Sequence, residues 1–284
     1  MMRIDINQKQ YMTYNWKYPF VYKKTILQDV HLLFPEGKTT LIIGTSGAGK
    51  STLIKCLIGA TSFDGKASGY DKRDIAYIPQ HPALNLELSV YDTIRFNLWF
   101  SRLDGVNFQG LTIDELTQKH IDEVGLKAVS KKKCKNLSGG QMQRVSIAKE
   151  LSRDKKIILA DEIDTGLDCG VARYIIGLIN DITHSRNLTT IVISHNLVNV
   201  DMYDNIIVLV KNSSKGFGQI AFSGSPSEAK DFFEVTEYVQ ILEKLNLAEE
   251  GGNGDLIIQE TQERQVMYYI NKFQRYRATK LQKK

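Results

Sequence analysis

The chain has 284 residues of ordinary globular composition and a formal net charge of +5, enough length for a sizeable core and no charge imbalance that calls for a nucleic-acid partner. No apolar run approaches the roughly 18 residues that span a bilayer, and the opening Met1-Met2-Arg3-Ile4-Asp5 lacks a signal core, which excludes a chain that itself crosses a membrane. Cys56, Cys134 and Cys169 are far apart and in no metal-ligand spacing, which fits a reducing compartment without structural disulfides.

In chain order, residues 18 to 43 alternate apolar and polar positions and read as two or three strands, broken by a turn at Pro35-Glu36-Gly37. They feed Gly44-Thr45-Ser46-Gly47-Ala48-Gly49-Lys50-Ser51-Thr52, which stands between an apolar strand and a leucine-rich helical pattern, Leu53 to Ile58. The glycines let the backbone curl around an anion so that successive N–H groups and the positive end of the helix face it. This is a phosphate cradle of the G-x-x-x-x-G-K-[ST] kind, in which Lys50 reaches the outer phosphates and the Ser51 hydroxyl ligates Mg²⁺.

After a glycine-rich piece, Asp64 to Gly69, a short strand Ile75-Ala76-Tyr77-Ile78 is stopped by Pro79, and Gln80 follows. From Val90 to about Lys133 the periodicity is helical, with a loop around Asp104 to Gly110, and reads as a helical subdomain inserted in an α/β core. Leu137-Ser138-Gly139-Gly140-Gln141 opens a helix that runs to about Ser152 and presents a second anion-binding helix end, with a serine and two bare glycine amides. A buried strand, Ile157 to Ala160, ends in Asp161-Glu162, a helix runs from about Cys169 to Ser185, and the strand Thr190 to Ile193 ends in Ser194-His195. Strands and helices alternating at this spacing argue for a largely parallel sheet with its ligands at the carboxyl ends of the strands.

Asp161, at the rim of a dry strand, is a candidate Mg²⁺ ligand, and Glu162 a candidate general base that orients water towards a γ-phosphate. An acidic pair can merely end a strand in solvent, but downstream of a phosphate loop that alternative recedes. His195 can hydrogen-bond a γ-phosphate, and Gln80 offers a donor and an acceptor for Mg²⁺ or water.

These elements, in this order from about Tyr18 to Phe233, resemble the nucleotide-binding domain of ABC transporters: the phosphate loop Gly44 to Thr52, Gln80, the signature Leu137 to Gln141, Asp161-Glu162, Leu167-Asp168 and His195. The resemblance implies a P-loop NTPase core of mostly parallel sheet, an N-terminal antiparallel β subdomain and an inserted helical subdomain at about residues 84 to 140. It implies ATP and Mg²⁺ as cofactors, with Ser51, Gln80 and Asp161 as metal ligands and Glu162, His195 and Gln80 as catalytic residues. Two cassettes, identical or paired, would clamp ATP with the phosphate loop of one and Ser138, Gly139, Gly140 and Gln141 of the other, near Asp168. An aromatic residue would stack on adenine; Tyr22 is best placed, with Tyr18 and Phe20 as rivals.

Gln80 and the helices after it would meet a transmembrane permease, which puts the protein at the cytoplasmic face of the cell membrane. Ser89 to Ile94, Gly218 to Gly224 and Ala229 to Phe233 look most like G-type half-transporters, which points to export; an importer subunit and a soluble ABC ATPase without a transport role are the alternatives. The short span from Lys50 to Asp161 holds no long heptad run, which disfavours a chromosome-organising ATPase. Where the family usually has proline and threonine after the catalytic glutamate, this chain has Ile163 and Asp164. The cassette is expected over residues 1 to 248, a linker over 249 to 255 and a basic tail over 256 to 284. Val266, Tyr269, Ile270, Phe273 and Tyr276 make that tail amphipathic, suited either to an anionic membrane surface or to packing on its own domain.

Overall fold

The structure is a computed structural model that describes residues 1–15, 20–106, 108, 110–212, 216–246 and 256–282. In chain order the elements are β1 (Met2–Asn15), β2 (Phe20–Phe34), β3 (Lys38–Gly44), α1 (Lys50–Leu57), β4 (Asp64–Ser68), β5 (Ile75–Ile78), α2 (Val90–Leu103), α3 (Ile113–Glu123) and α4 (Gly139–Leu151). They continue with β6 (Ile157–Asp161), α5 (Cys169–Arg186), β7 (Thr189–Ile193), β8 (Asn205–Asn212), β9 (Phe217–Gly224), α6 (Pro226–Phe233), α7 (Val239–Asn246) and α8 (Leu256–Gln282). They form two compact units, one of Met1–Pro35, Thr40–Lys72 and Tyr203–Lys284, the other of Glu36–Thr39 and Arg73–Met202.

In the first unit the strands lie in the order β4-β1-β2-β9-β8-β3. β1 and β2 form a long antiparallel ladder from Met2↔Phe34 to Asn15↔Phe20, and β4 pairs antiparallel along the outer edge of β1. Met2, Ile4 and Ile6 point inward while Arg3 and Asn7 face solvent, the period of two that a half-buried strand requires. β8 carries the buried run Ile206 to Val210, pairing parallel with β3 and antiparallel with β9.

An N-terminal antiparallel β region was expected, but neither β1 nor β4 was read from the residues as a strand. β1 does carry the alternation, but β4 has almost no apolar residue and exists because β1 offers it a hydrogen-bonding edge. Gly65 is required there, at φ 142, since a Cβ would lie 2.0 Å from the Asp5 carbonyl oxygen.

The C-terminal helix α8 docks on β8, β9 and α7 of the same unit. Val266, Tyr269, Ile270 and Phe273 recur at i, i+3, i+4 and i+7 and are all buried. Phe222, Phe232, Phe233, Tyr269, Phe273 and Tyr276 form a ring cluster with centroid spacings from 4.9 Å for Phe233–Tyr269 to 6.4 Å for Phe273–Tyr276. Lys280 pairs with Glu228 at 2.7 Å and Lys272 with Glu234 at 2.9 Å. The apolar face is therefore spent on the protein's own core, which of the two expected uses is packing on its own domain and not an anionic membrane surface. The expected linker over 249 to 255 lies outside the described residues.

In the second unit β7, β6 and β5 are parallel neighbours, in register from Ile157↔Thr189 and Ile75↔Ile157. β6 and β7 are buried on both faces, as parallel strands covered by helices must be, while β5, at the edge of the sheet, alternates half-buried and buried positions. Helix starts follow their caps: Ser89 for α2, Thr112 with Glu115 for α3, Ser138 with Gln141 for α4 and Asp168 for α5. Asn187, left-handed at φ 52, ends α5.

Truncating the ring cluster tests the docking of α8. Phe273→Ala should cost about 3 to 5 kcal/mol of unfolding free energy, read by denaturant titration. An unchanged midpoint would mean that the helix does not contribute to this core.

Candidate functional site

The phosphate loop is built by close approach to β8. A Cβ on Gly44 would sit 1.9 Å from the Leu209 carbonyl oxygen, so only glycine ends β3 here. Thr45 fastens the loop twice, its N–H donating to Leu209 O at 3.2 Å and its Oγ1 accepting from Lys211 N at 3.0 Å. Gly47 and Gly49 take φ 68 and 93, the left-handed turn that lets the chain enter α1.

Gly49 caps α1 with no side-chain bond, and the first turn holds no acidic residue, so the helix's leading amides keep their capacity for an anion. Lys50 is only 8 % exposed and arches back over the loop, donating from Nζ to Gly44 O at 2.7 Å and Thr45 O at 3.2 Å. Ser46, Gly47 and Ser51 are exposed, Thr52 half-buried and Ala48 buried.

In the second unit the parallel register brings the carboxyl ends of β5, β6 and β7 to one edge. Asp161 ends β6 and accepts from the Tyr77 hydroxyl at 3.2 Å; burial, together with that carboxylate, pushes the Tyr77 phenol up. Glu162 turns out of the strand at φ 49, its N–H donating to Ile193 O at 2.8 Å. Its carboxylate is held from two sides, with His195 Nε2 2.9 Å from Oε1 and Gln80 Nε2 donating to Oε2 at 2.9 Å. Gln80, Glu162 and His195, drawn from three separate stretches of sequence, thus meet in one hydrogen-bonded cluster.

Two neighbours were not expected to take part. Asp164 is 3 % exposed, and the Ser194 hydroxyl donates to its carboxylate, lying 2.7 and 2.9 Å from the two oxygens. Burial pushes the Asp164 carboxyl up, the Ser194 hydrogen bond opposes that, and the Glu162 charge adds to the rise. Asp164 was visible in sequence only as an extra charge after Glu162, and nothing in the one-dimensional pattern pairs it with Ser194.

The α4 start is a closed capping box: Ser138 Oγ accepts from Gln141 N at 3.3 Å and Gln141 Oε1 accepts from Ser138 N at 3.1 Å. Of the two glycines expected to be bare, Gly139 is exposed, but Gly140 is buried. A Cβ on Gly140 would lie 2.5 Å from Val171 Cγ1, so this glycine serves the packing of α4 on α5. Asp168, exposed, caps α5 by accepting from Val171 N at 2.9 Å. Tyr22 is 39 % exposed on β2, opposite Thr13. Its rivals Tyr18 and Phe20 lie outside the described side chains.

The residues present fit a nucleotide and a hard divalent cation. The glycine-built cradle leaves no room for side chains at Gly44 or Gly49, where a Cβ would meet Leu27 Cδ2 at 2.6 Å. Within its own unit each of the candidate ligands carries an oxygen of the kind Mg²⁺ takes, the Ser51 hydroxyl in the first and the Gln80 amide and Asp161 carboxylate in the second. Among the described residues no group of three or more His, Cys, Asp or Glu could hold a metal ion.

Residues 27–165 match the family model for the ABC transporter. A phosphonates import ATP-binding protein of Synechococcus sp. is 33 % identical over 248 residues, spanning 80 % of this chain and 86 % of that protein. A methionine import ATP-binding protein of Clostridium tetani is 31 % identical over 230 residues, spanning 75 % and 71 %. Among solved structures, the dimeric post-hydrolysis state of an ATP-binding cassette bound to ADP and phosphate has a similar fold, with a TM-score of 0.63 at 23 % identity over 79 % of this chain and 98 % of that one. The folds agree in their P-loop α/β core with an inserted helical region. A sub-family G member 5 protein of Rattus norvegicus matches at 29 % over 231 residues, 76 % of this chain and 34 % of that protein. Proteins named for import thus match at higher identity, so the expected likeness to G-type half-transporters, and export with it, are not supported.

The raised Asp164 carboxyl makes a stability prediction. A folded-state pKa above the unfolded value favours the folded protein while the group is protonated, and that contribution is lost as pH rises from the ordinary carboxylate range through the raised value. Asp164→Asn, which cannot ionise, should therefore gain thermal stability relative to the parent as pH rises through that window. A melting-temperature difference that does not change with pH would contradict the burial-driven shift.

Proposed function

The chain belongs to the ABC transporter family and is an ATP-binding, ATP-hydrolysing protein, and we propose that it is the ATPase subunit of an importer, working as a pair of cassettes against a membrane-spanning permease. The observation that carries the hydrolytic chemistry is the Glu162 carboxylate held by Gln80 and His195 at 2.9 Å each.

In this reading Lys50 and the amides of Gly44, Thr45, Ser46, Gly47, Ala48, Gly49, Ser51 and Thr52 hold the phosphates, and Tyr22 stacks on adenine. Ser51 of the first unit and Gln80 and Asp161 of the second would each offer an oxygen to Mg²⁺, which would supply charge neutralisation to the transferred phosphoryl group. Glu162 orients and deprotonates the attacking water; Oε2 accepts from both Gln80 and the Thr165 hydroxyl, so water is engaged at the second acceptor site of Oε1, beside His195. His195 contacts the γ-phosphate while holding Glu162. Ser138, Gly139 and Gln141 close on the nucleotide of the partner cassette, with Gly140 keeping α4 seated and Asp168 keeping the start of α5 in place beside them. The dimer bound to ADP and phosphate in a protein of similar fold supports this pairing.

The permease reading is supported by α2. Its Val90, Ile94 and Leu98 are buried, yet Phe96, Trp99, Phe100 and Leu103 form a second apolar face at i, i+3, i+4 and i+7, with Trp99 48 % exposed. A continuous exposed stripe of this kind marks a protein contact. Among the described residues no helix is long and apolar enough to cross a membrane, so a membrane-spanning function would come from a partner or another segment. Pairing with such a permease would put the protein at the cytoplasmic face of the cell membrane.

Import is favoured over export because relatives named for phosphonate and methionine import share 33 % and 31 % identity with the chain.

Glu162→Gln should lower ATP turnover by about 100-fold or more while ATP still binds and dimers accumulate in size-exclusion chromatography; unchanged turnover would remove Glu162 as the base. Disrupting the gene should reduce cellular uptake of a solute in a panel containing phosphonates, methionine and divalent metals. Intracellular build-up of a solute instead would overturn import.

A further inference from the structure

We propose that Asp164, acting through Ser194, positions His195 against Glu162. Two loops leave neighbouring parallel strands here, Glu162 to Asp164 after β6 and Ser194 to Asn196 after β7. They are tied at three levels. The first is the backbone bond from Glu162 N–H to Ile193 O at 2.8 Å. The second is the Ser194 hydroxyl against both oxygens of Asp164 at 2.7 and 2.9 Å, and the third the His195–Glu162 pair at 2.9 Å.

Ser194 is the hinge of this arrangement. Its Oγ donates to Asp164 and accepts from the Asn196 N–H at 2.8 Å, so the turn that carries His195 is wound around one hydroxyl whose direction the carboxylate dictates. Ser194 is itself buried, at 1 % exposure, and Asp164 lies two residues beyond Glu162, so neither can drift without carrying a catalytic neighbour. His195 and Glu162 are the titratable groups that act electrostatically on the Asp164 carboxylate. A buried carboxylate is a costly partner for a lone hydroxyl. Here it also holds an exposed imidazole in register with the base, and misplacement of a catalytic group by even an ångström is expensive. Asp164 matters to turnover in this way only if Glu162 and His195 act as proposed above.

Ser194→Ala and Asp164→Ala should each lower kcat by about tenfold with the dissociation constant for ATP unchanged, and the double variant should be no slower than the slower single one. In a His195→Ala background, Ser194→Ala should have no further effect, because there is no imidazole left to position. The inference is overturned if Ser194→Ala keeps the parental kcat, if ATP affinity falls in step with kcat, or if the Ser194 effect persists at full size without His195. Should Asp164→Ala fail to fold, the Ser194 and His195 cycle decides alone. Glu162→Gln and His195→Ala measured alongside separate the two levels. Full turnover in both removes the catalytic reading itself, whereas their loss of turnover beside an unaffected Ser194→Ala removes only the positioning role.

Discussion

The parallel alignment of β5, β6 and β7 is the constraint from which the second unit's chemistry follows. β6 and β7 are short runs buried on both faces and β5 is buried at alternate positions, where an unpaired polar side chain would be costly. Polar groups are therefore driven to the strand ends, and a common direction puts those ends together. With Asp161 opposite Ile193 and Ile78 opposite Ala160, the residues that follow are neighbours before any side-chain interaction is counted. Glu162 leaves its strand in a left-handed conformation, a strained geometry for a non-glycine residue, and is held there by Ile193, Gln80 and His195.

Glycines do two different jobs at the two helix starts of interest. Gly44 and Gly49 remove side chains where β8 and β2 press against the phosphate loop, so the curl of the loop is dictated by what lies behind it as much as by φ. At the α4 start, Gly139 faces outward and Gly140 is a packing contact with Val171, although the sequence presents them as an equivalent pair.

Two amphipathic helices met opposite fates. α8 carries aromatic and aliphatic residues at helical spacing and buries them against Phe222, Phe232 and Phe233. α2 carries a comparable stripe through Phe96, Trp99, Phe100 and Leu103 and leaves it exposed. The periodicity is the same in both cases; what differs is whether the fold supplies a complementary surface.

The phosphate loop, the alternation of buried strands with helices, and the polar residues ending those strands are local properties, and the sequence by itself determined them. Glycine spacing, caps and apolar runs act over a few residues and need no partner to be read. The ladder of β1 with β4, the burial of Gly140, the docking of α8 and the Asp164–Ser194 bond were decided only by tertiary structure. Each joins groups distant in sequence or depends on a neighbouring surface. Ser194 and Asp164 are 30 positions apart, and only the pairing of β6 with β7 brings a hydroxyl and a carboxylate from those two loops within 3 Å.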